Sequence, residues 1–161
     1  MAERDRGEFQ ERLAPINQAA DVLQALRALG EQYFVEEPAH KRLMCIELGV
    51  ESTRNEKVGE IYRSVDRYVH DSFRTLFERL HKEGRIAPDL DIATLARLFA
   101  LIGDGLMWRR AIDPDFKPDQ LLPAVTALVG SLLNPITPAK ETSLAMADVT
   151  LPQLREHEAS Q

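Results

Sequence analysis

Apolar residues recur every three or four positions through most of this 161-residue chain, which is the spacing of one face of an α-helix. The clearest case is a long helix predicted over residues 54–83, whose opposite face carries charged side chains. Residues 53–56 fit a capping box at its start, with Thr53 as the first residue, and Gly84 suits the position after its end. The apolar stripe consists of Val58, Ile61, Tyr62, Val65, Val69, Phe73, Leu76, Phe77 and Leu80.

The rest of the chain also predicts helices, and no alternating pattern typical of strands occurs. A weakly amphipathic segment covers residues 3–18, a helix over 19–37 stops at Pro38, and a shorter one covers 39–51. Two more are expected over 92–112 and 120–133, with Asp91 and Asp119 as their N-caps. The prediction is therefore an all-α bundle of about six helices. We divide it into a linking helix or remnant (1–18), the main domain (19–134) and a loosely ordered tail (135–161).

The last two predicted helices are apolar on almost every side. A helix with one apolar stripe lies on a surface, whereas one that is apolar all round must be covered on more than one side. We therefore expect a homodimer formed through these two helices, although a central helix in a monomer would explain one of them. The candidate interface residues are Leu101, Gly105, Leu121, Val125, Leu128, Val129 and Leu132.

Charge and cysteine content exclude several classes of protein. The net charge of −6 argues against a broad surface for nucleic acid, and the single cysteine, Cys45, excludes an intrachain disulfide. The start of the chain lacks the apolar region of a secretory signal. The nearly uncharged stretch over 98–108 is too short to span a bilayer. We expect a cytoplasmic protein that does not bind membranes.

Two segments resemble the C-terminal ligand-binding and dimerisation domain of TetR-family transcriptional regulators. They are LFERLHKEGRIAPDLDIATLARLFALIGDGLMWRRAI and LLPAVTALVGSLL, and the overall similarity covers residues 19–133. The resemblance implies a homodimer that binds a small-molecule effector and reaches DNA only through an N-terminal helix-turn-helix. Nothing similar to that element precedes Ala19, so we expect the sensing half alone: a truncated protein, a start assigned too late, or a natural stand-alone domain.

Bulky side chains on the inward faces suggest a pocket for a mostly apolar molecule with one polar end. The candidate lining residues are Met44, Tyr62, Val65, Phe73, Phe77, Asp104, Met107 and Trp108. For the aromatic and methionine side chains, ordinary core packing is the alternative interpretation. Asp104 stands out because a carboxylate among apolar residues must be paired or solvated. It could bind a cationic ligand, or pair with Arg109 or Arg110 across the dimer.

No pattern of catalytic residues stands out. The chain has no nucleophile, phosphate-loop or zinc-protease motif, and the Asp66–His70 pair lacks a third metal ligand. We expect no catalytic residue, no metal and no cofactor. The predicted function is the effector-sensing and dimerisation domain of a TetR-type regulator, acting as a repressor. The alternatives are a stand-alone helical protein-interaction module and a helical-bundle enzyme.

Overall fold

The computed structural model describes residues 2–136, with side chains from Arg6 onward. Within this range it contains α-helices and no strand beyond an isolated bridge between Ile86 and Pro135. This confirms the predicted all-α bundle of six helices. They are α1 (Ala2–Gln18), α2 (Val22–Gly30), α3 (Ala39–Glu51), α4 (Glu56–Lys82), α5 (Ile92–Ile112) and α6 (Pro118–Leu133).

Helix α2 continues without a break into a π-helical segment, Glu31–Glu36. The prediction of one helix from 19 to 37 therefore holds in outline, but its last turns are wider than an α-helix. Asp21 caps the beginning, because its carboxylate accepts a hydrogen bond of 3.0 Å from the Gln24 amide. Pro38 follows at the end, where a ring without an N–H prevents the helix from continuing.

Two of the predicted helix starts are wrong in detail. Asn55, and not Thr53, is the N-cap of α4: the Asn55 side chain accepts from the Val58 amide, while the Thr53 hydroxyl donates to the carbonyl of Val50. Thr53 and Asn55 are both short polar residues that can cap a helix. Asn55 is the cap because its backbone has the extended conformation that an N-cap requires. The predicted N-cap of α5 is confirmed, since Asp91 accepts from the Thr94 amide at 2.9 Å.

Helix α6 begins earlier than predicted. Lys117 is its N-cap and Pro118 its first residue, so Asp119 lies in the first turn instead of capping it. A proline at the first position has no N–H to leave unpaired, which favours this start. Pro123 consequently lies inside the helix rather than at its beginning.

Helix α4 is the centre of the bundle, packed against α1, α3 and α5. Its partner α5 runs antiparallel to it, because Phe99 near the start of α5 contacts Phe73 and Phe77 in the second half of α4. Helix α1 contributes Leu13 and Ile16 to the same core, and it remains helical through Pro15. Residues 2–18 are thus packed against the bundle as one helix.

Helices α2 and α6 cross at two glycines. A Cβ atom at Gly130 would lie 3.1 Å from Leu23, and one at Gly30 would lie 3.3 Å from Leu122. The missing side chains allow the two backbones to approach closely, and the pairing shows that the two helices run antiparallel.

The beginning of the predicted tail is tied to the loop after α4. The Ile136 amide donates to the Arg85 carbonyl at 2.9 Å, next to the bridge between Ile86 and Pro135. The remainder of the predicted tail, 137–161, lies outside the described residues.

Candidate functional site

The predicted pocket residues on α4 lie at two different ends of this helix. Phe73 and Phe77 belong to an aromatic core, in which their ring centroids lie 5.9 Å apart and Phe99 lies 5.0 and 5.2 Å from them. Phe77 is 0% exposed. Because other aromatic rings cover these two side chains, we assign them to the core and leave them out of the candidate ligand site.

Tyr62 lies roughly three to four helical turns away, in the first half of α4, and the charges of two carboxylates act on it. Burial raises the pKa of its hydroxyl, and the negative charges of Asp104 and Asp66 raise it further. Burial likewise raises the pKa of the Asp104 carboxyl, with a second contribution from Asp66. The carboxylates of Asp66 and Asp104 therefore lie near enough to affect the ionisation of Tyr62, and neither carboxylate forms an ion pair among the described residues.

Helix α3 packs against Tyr62 with little side-chain contact. A Cβ at Gly49 would lie 3.3 Å from the Tyr62 hydroxyl oxygen, so α3 approaches Tyr62 with its backbone. None of the residues of α3 is buried, and Met44 is exposed. On the other sides, Val65 and Met107 are half-buried and Trp108 is exposed. Tyr62, Asp66 and Asp104 are themselves exposed, and we call the surface region between α3, the first half of α4 and the second half of α5 the acidic cleft.

Neither predicted partner of Asp104, Arg109 or Arg110, pairs with it within the described part of the protomer. The Arg110 guanidinium donates to the carbonyls of Phe34 and Val35 at the end of the π-helical segment, at 2.6 Å for Val35. Arg109 is exposed. Within the protomer, Arg110 therefore stabilises a helix end, and neither arginine forms an ion pair with Asp104 among the described residues.

A second apolar surface lies on the outside of α5 and α6. On α5 it follows Leu101, Gly105, Trp108 and Ile112, which share one face at helical spacing and are all exposed, Leu101 to 65%. On α6 it follows Leu121 and Leu128, the latter 49% exposed. We call this surface the outer apolar face. Asp104 and Trp108 are one turn apart, so the acidic cleft opens at its edge.

Not every candidate interface residue lies on the outer apolar face. Val129 is 5% exposed and belongs to the core of the protomer, where its side chain cannot meet another molecule. Val125 and Leu132 are half-buried and pack against that core. The reason is that α6 turns one side to α2, and these three positions fall on or beside it.

Sequence reasoning missed several residues around the site. Asp66 was considered only as half of a metal site with His70, although its i, i+4 spacing from Tyr62 places the two on one face of α4. Phe34 was not among the candidate residues, yet its ring approaches Gly103, where a Cβ would lie 3.7 Å from it. No group of three or more potential metal ligands occurs in the range 2–136.

Two concavities elsewhere contain none of the predicted pocket residues. The first, of about 340 Å³, lies between α1 and the start of α3 and is lined by Arg12, Gln32, Glu36, Glu37, Pro38 and Lys41. The second, of about 300 Å³, lies between α1 and α4 and includes Gln10, Tyr68, Ser72 and Arg79. Both are open. The first is lined mainly by charged and polar side chains, and the second mixes polar side chains with Leu13, Tyr68 and Leu76.

Comparison with known proteins agrees with the fold. Residues 22–134 match the family model described as the C-terminal domain of BetI-type transcriptional repressors. No curated protein and no solved structure gives a significant match. Over the described part of the chain, none of the helices is both long and apolar enough for a membrane span. With more than two thirds of its length matched and six helices in the expected order, this chain belongs to the family of BetI-type repressor C-terminal domains, a TetR-type regulatory domain.

Proposed function

We propose that this domain senses a small molecule and forms the homodimer of a TetR-type repressor. The observation that carries the proposal is the position of α5, which contributes to both the acidic cleft and the outer apolar face. A molecule bound in the cleft would contact a helix of the dimer interface directly. Ligand binding and dimer geometry would then be linked, because a ligand favours whichever arrangement it binds better.

The outer apolar face supports the homodimer. Leu101, Trp108, Ile112, Leu121 and Leu128 are large apolar side chains left exposed on two adjacent helices, and such a continuous patch is typical of a protein interface. A second copy brings the same patch, so a two-fold arrangement of α5 and α6 would cover both at once.

The acidic cleft supports a ligand with an apolar body and a positively charged end. Met44, Val65, Met107 and Trp108 offer apolar surface around it. At the polar end, Asp104 carries a carboxyl whose pKa is raised by burial and by Asp66. A bound cation would relieve both the lost solvation and the repulsion between the carboxylates, since opposite charge favours the ionised form. We therefore propose that the polar end of the mostly apolar ligand carries a positive charge.

DNA binding would belong to a helix-turn-helix joined to the N-terminal side of the domain, as the resemblance implies. The dimer would hold two such units at a spacing that fits an operator, and the ligand would change that spacing. A regulator of this kind works in the cytoplasm, where we place the domain. A mobility-shift assay on the protein with its helix-turn-helix, with and without ligand, tests the repressor role.

Replacing Leu128 with glutamate tests the dimer. Leu128→Glu should give monomers or aggregates in size-exclusion chromatography with light scattering, because each copy would bury an unpaired carboxylate in the interface. The matched control is Ile61→Glu, which places the same charge on an apolar side chain that is 59% exposed but lies outside the outer apolar face. A Leu128→Glu protein with the mass of the wild-type dimer would contradict the assignment, as would a monomeric wild type.

Three naphthalene compounds of similar shape and different charge test whether the ligand is cationic. We expect 1-naphthylmethylamine to raise the melting temperature by about 3–6 °C at saturation, and 1-naphthalenemethanol and 1-naphthoate to raise it less or not at all. Asp104→Asn should remove the preference for the amine. Asp89→Asn, which removes a charge from the exposed turn before α5, should retain it. Equal effects of all three compounds, or an unchanged preference in Asp104→Asn, would refute a cationic ligand in this cleft.

A further inference from the structure

The π-helical segment Glu31–Glu36 is held from two sides by charged side chains of other helices. Its last carbonyls have no partner within the segment, as at any helix end. Arg110 of α5 donates to two of them, on Phe34 and Val35, and Arg42 of α3 donates to the carbonyl of Glu37. The end of the segment is thus bound to α5 by a forked guanidinium, which fixes both distance and direction.

Glu37, the next residue, connects the segment to α1. Its side chain is only 13% exposed, and its two carboxylate oxygens lie 3.1 Å from Arg12 of α1 and 3.1 Å from Lys41 of α3. Lys41 also reaches Glu8 of α1 at 3.4 Å. The Arg12 guanidinium lies 4.5 Å from the centre of the Tyr33 ring, so α1 contacts the π-helical segment itself.

The same segment touches the acidic cleft. Phe34 packs against α5 at Gly103, the residue next to Asp104. One short piece of chain is therefore in contact with the helix that carries the candidate ligand site, and through Glu37 it holds the first helix of the domain. π-helical turns are rare and frequently lie at functional sites.

We propose that Arg110 and the π-helical segment couple the position of α5 to that of α1, with Glu37 and Arg12 as the second link. A displacement of α5 pulls on the two carbonyls, the segment moves with it, and the ion pairs of Glu37 pass the movement to α1. Arg110 is a positioning residue in this scheme. The inference deepens the proposed function, on which it rests for the event that displaces α5.

Hydrogen exchange without any ligand tests the coupling. Arg110→Ala should accelerate amide exchange about tenfold in residues 31–37 and also in residues 6–13 of α1, while the amides around Phe77 should respond only through global stability. The matched control is Arg109→Ala, which removes the same charge from an exposed neighbour and should behave as the wild type. Acceleration confined to residues 31–37, or none at all, would overturn the proposal.

A milder variant keeps the test open if Arg110→Ala does not fold. Arg110→Lys retains the charge but cannot donate to both carbonyls in a fork. It should therefore accelerate exchange in the same two regions by a smaller factor. An Arg110→Lys protein with accelerated segment exchange and an α1 identical to the wild type would likewise overturn the coupling.

Adding 1-naphthylmethylamine separates this inference from the proposed function. In the wild type, binding should change exchange in α1 as well as near the cleft. In Arg110→Ala the melting shift should persist while the response of α1 is lost. If the amine does not bind, the proposed function fails and the ligand-free comparison still decides the coupling. If it binds and α1 responds equally in both proteins, the coupling is wrong and the ligand site stands.

Discussion

The two halves of α4 have opposite surroundings. From Phe73 to Leu80 the helix is buried among aromatic and aliphatic side chains contributed by α1 and α5. From Glu56 to Ser72 only Gly59 is buried, while Ile61 and Tyr62 are exposed. The neighbouring α3 has no buried residue at all, and it is tied to the rest of the domain through Lys41 and Arg42.

One half of α4 is therefore rigid, and the other half can change its packing more easily. A tightly packed core resists any change of shape, because each buried side chain is held by many neighbours. A region with few buried apolar contacts opens locally at low cost, and ligand-binding regions are drawn from such parts of a protein. The acidic cleft lies in the second kind of region, because no residue of α3 and only Gly59 in the first half of α4 is buried. The domain can therefore adjust there without loosening its core.

Removing an aromatic ring from the buried half should have the largest effect. Phe77→Ala should lower the free energy of unfolding by about 3–5 kcal/mol, because the cavity would lie where the side chain is completely enclosed. Tyr62→Ala, at the exposed half, should cost less than ~1 kcal/mol. Urea denaturation followed by circular dichroism measures both. Similar losses for the two variants would break the comparison.

Neutralising Glu37 should destabilise the contacts of α3 with α1 more than it destabilises the aromatic core. Glu37→Gln should lower the free energy of unfolding by about 1–2 kcal/mol at pH 7, since Arg12 and Lys41 lose the charge that both contact. Exchange should accelerate in α3 and α1, and the amides around Phe77 should respond only through global stability. Glu78→Gln is the control, because Glu78 pairs with Arg74 on the exposed surface of α4. Equal losses in both variants would contradict the interpretation.

The Glu37 effect should also depend on pH. Burial by itself would raise the pKa of this carboxyl, but hydrogen bonds from Lys41 and Arg12 lower it below its ordinary value. A carboxyl with a lowered pKa in the folded state stabilises the fold above its unfolded pKa, about 4.3, and loses this contribution as the pH falls through the folded value. The difference between wild type and Glu37→Gln should be constant above about pH 5.5 and shrink below pH 4. A difference that is independent of pH would be inconsistent with the ion pairs.

The smallest expected effect concerns Asp104. Because burial and Asp66 raise the pKa of this carboxyl, its ionised form is less favourable in the folded state than in the unfolded one. The wild type therefore loses stability as the pH rises through the range in which Asp104 ionises. Asp104→Asn should melt about 1–2 °C higher than the wild type at pH 7, a modest gain since the side chain is partly exposed to solvent. The gain should disappear below pH 3.5, and a lower melting temperature at pH 7 would contradict it.

The helices could be predicted because their apolar periodicity is a property of short stretches of chain. The range 54–83 differs from α4 by two residues at one end and one at the other, and the range 92–112 coincides with α5. Caps were harder to predict, because Thr53 and Asn55 compete for the same role and only backbone geometry selects between them. The all-α class and the family follow from the pattern as a whole.

The candidate site could be predicted only in part. Periodicity shows which face of a helix is apolar but not which turn meets which neighbour, so Phe73 and Tyr62 were placed in one pocket although they lie at different ends. The involvement of Asp66 and the role of Arg110 depend on the pairing of α4 with α5 and of α5 with the π-helical segment. Such contacts between distant parts of the chain leave no periodic trace in the sequence.

The glycine crossing of α2 and α6 has a consequence for symmetry. A methyl group at Gly130 would lie 3.1 Å from Leu23, so α6 or this leucine would have to move by a few tenths of an ångström. In a two-fold dimer built on α6, each protomer contributes the same shift, and the two add across the axis. Anything carried at a distance from that axis is displaced further, as at the end of a lever. In such a dimer, the distance between parts far from the axis would thus depend on the absence of a side chain at Gly130.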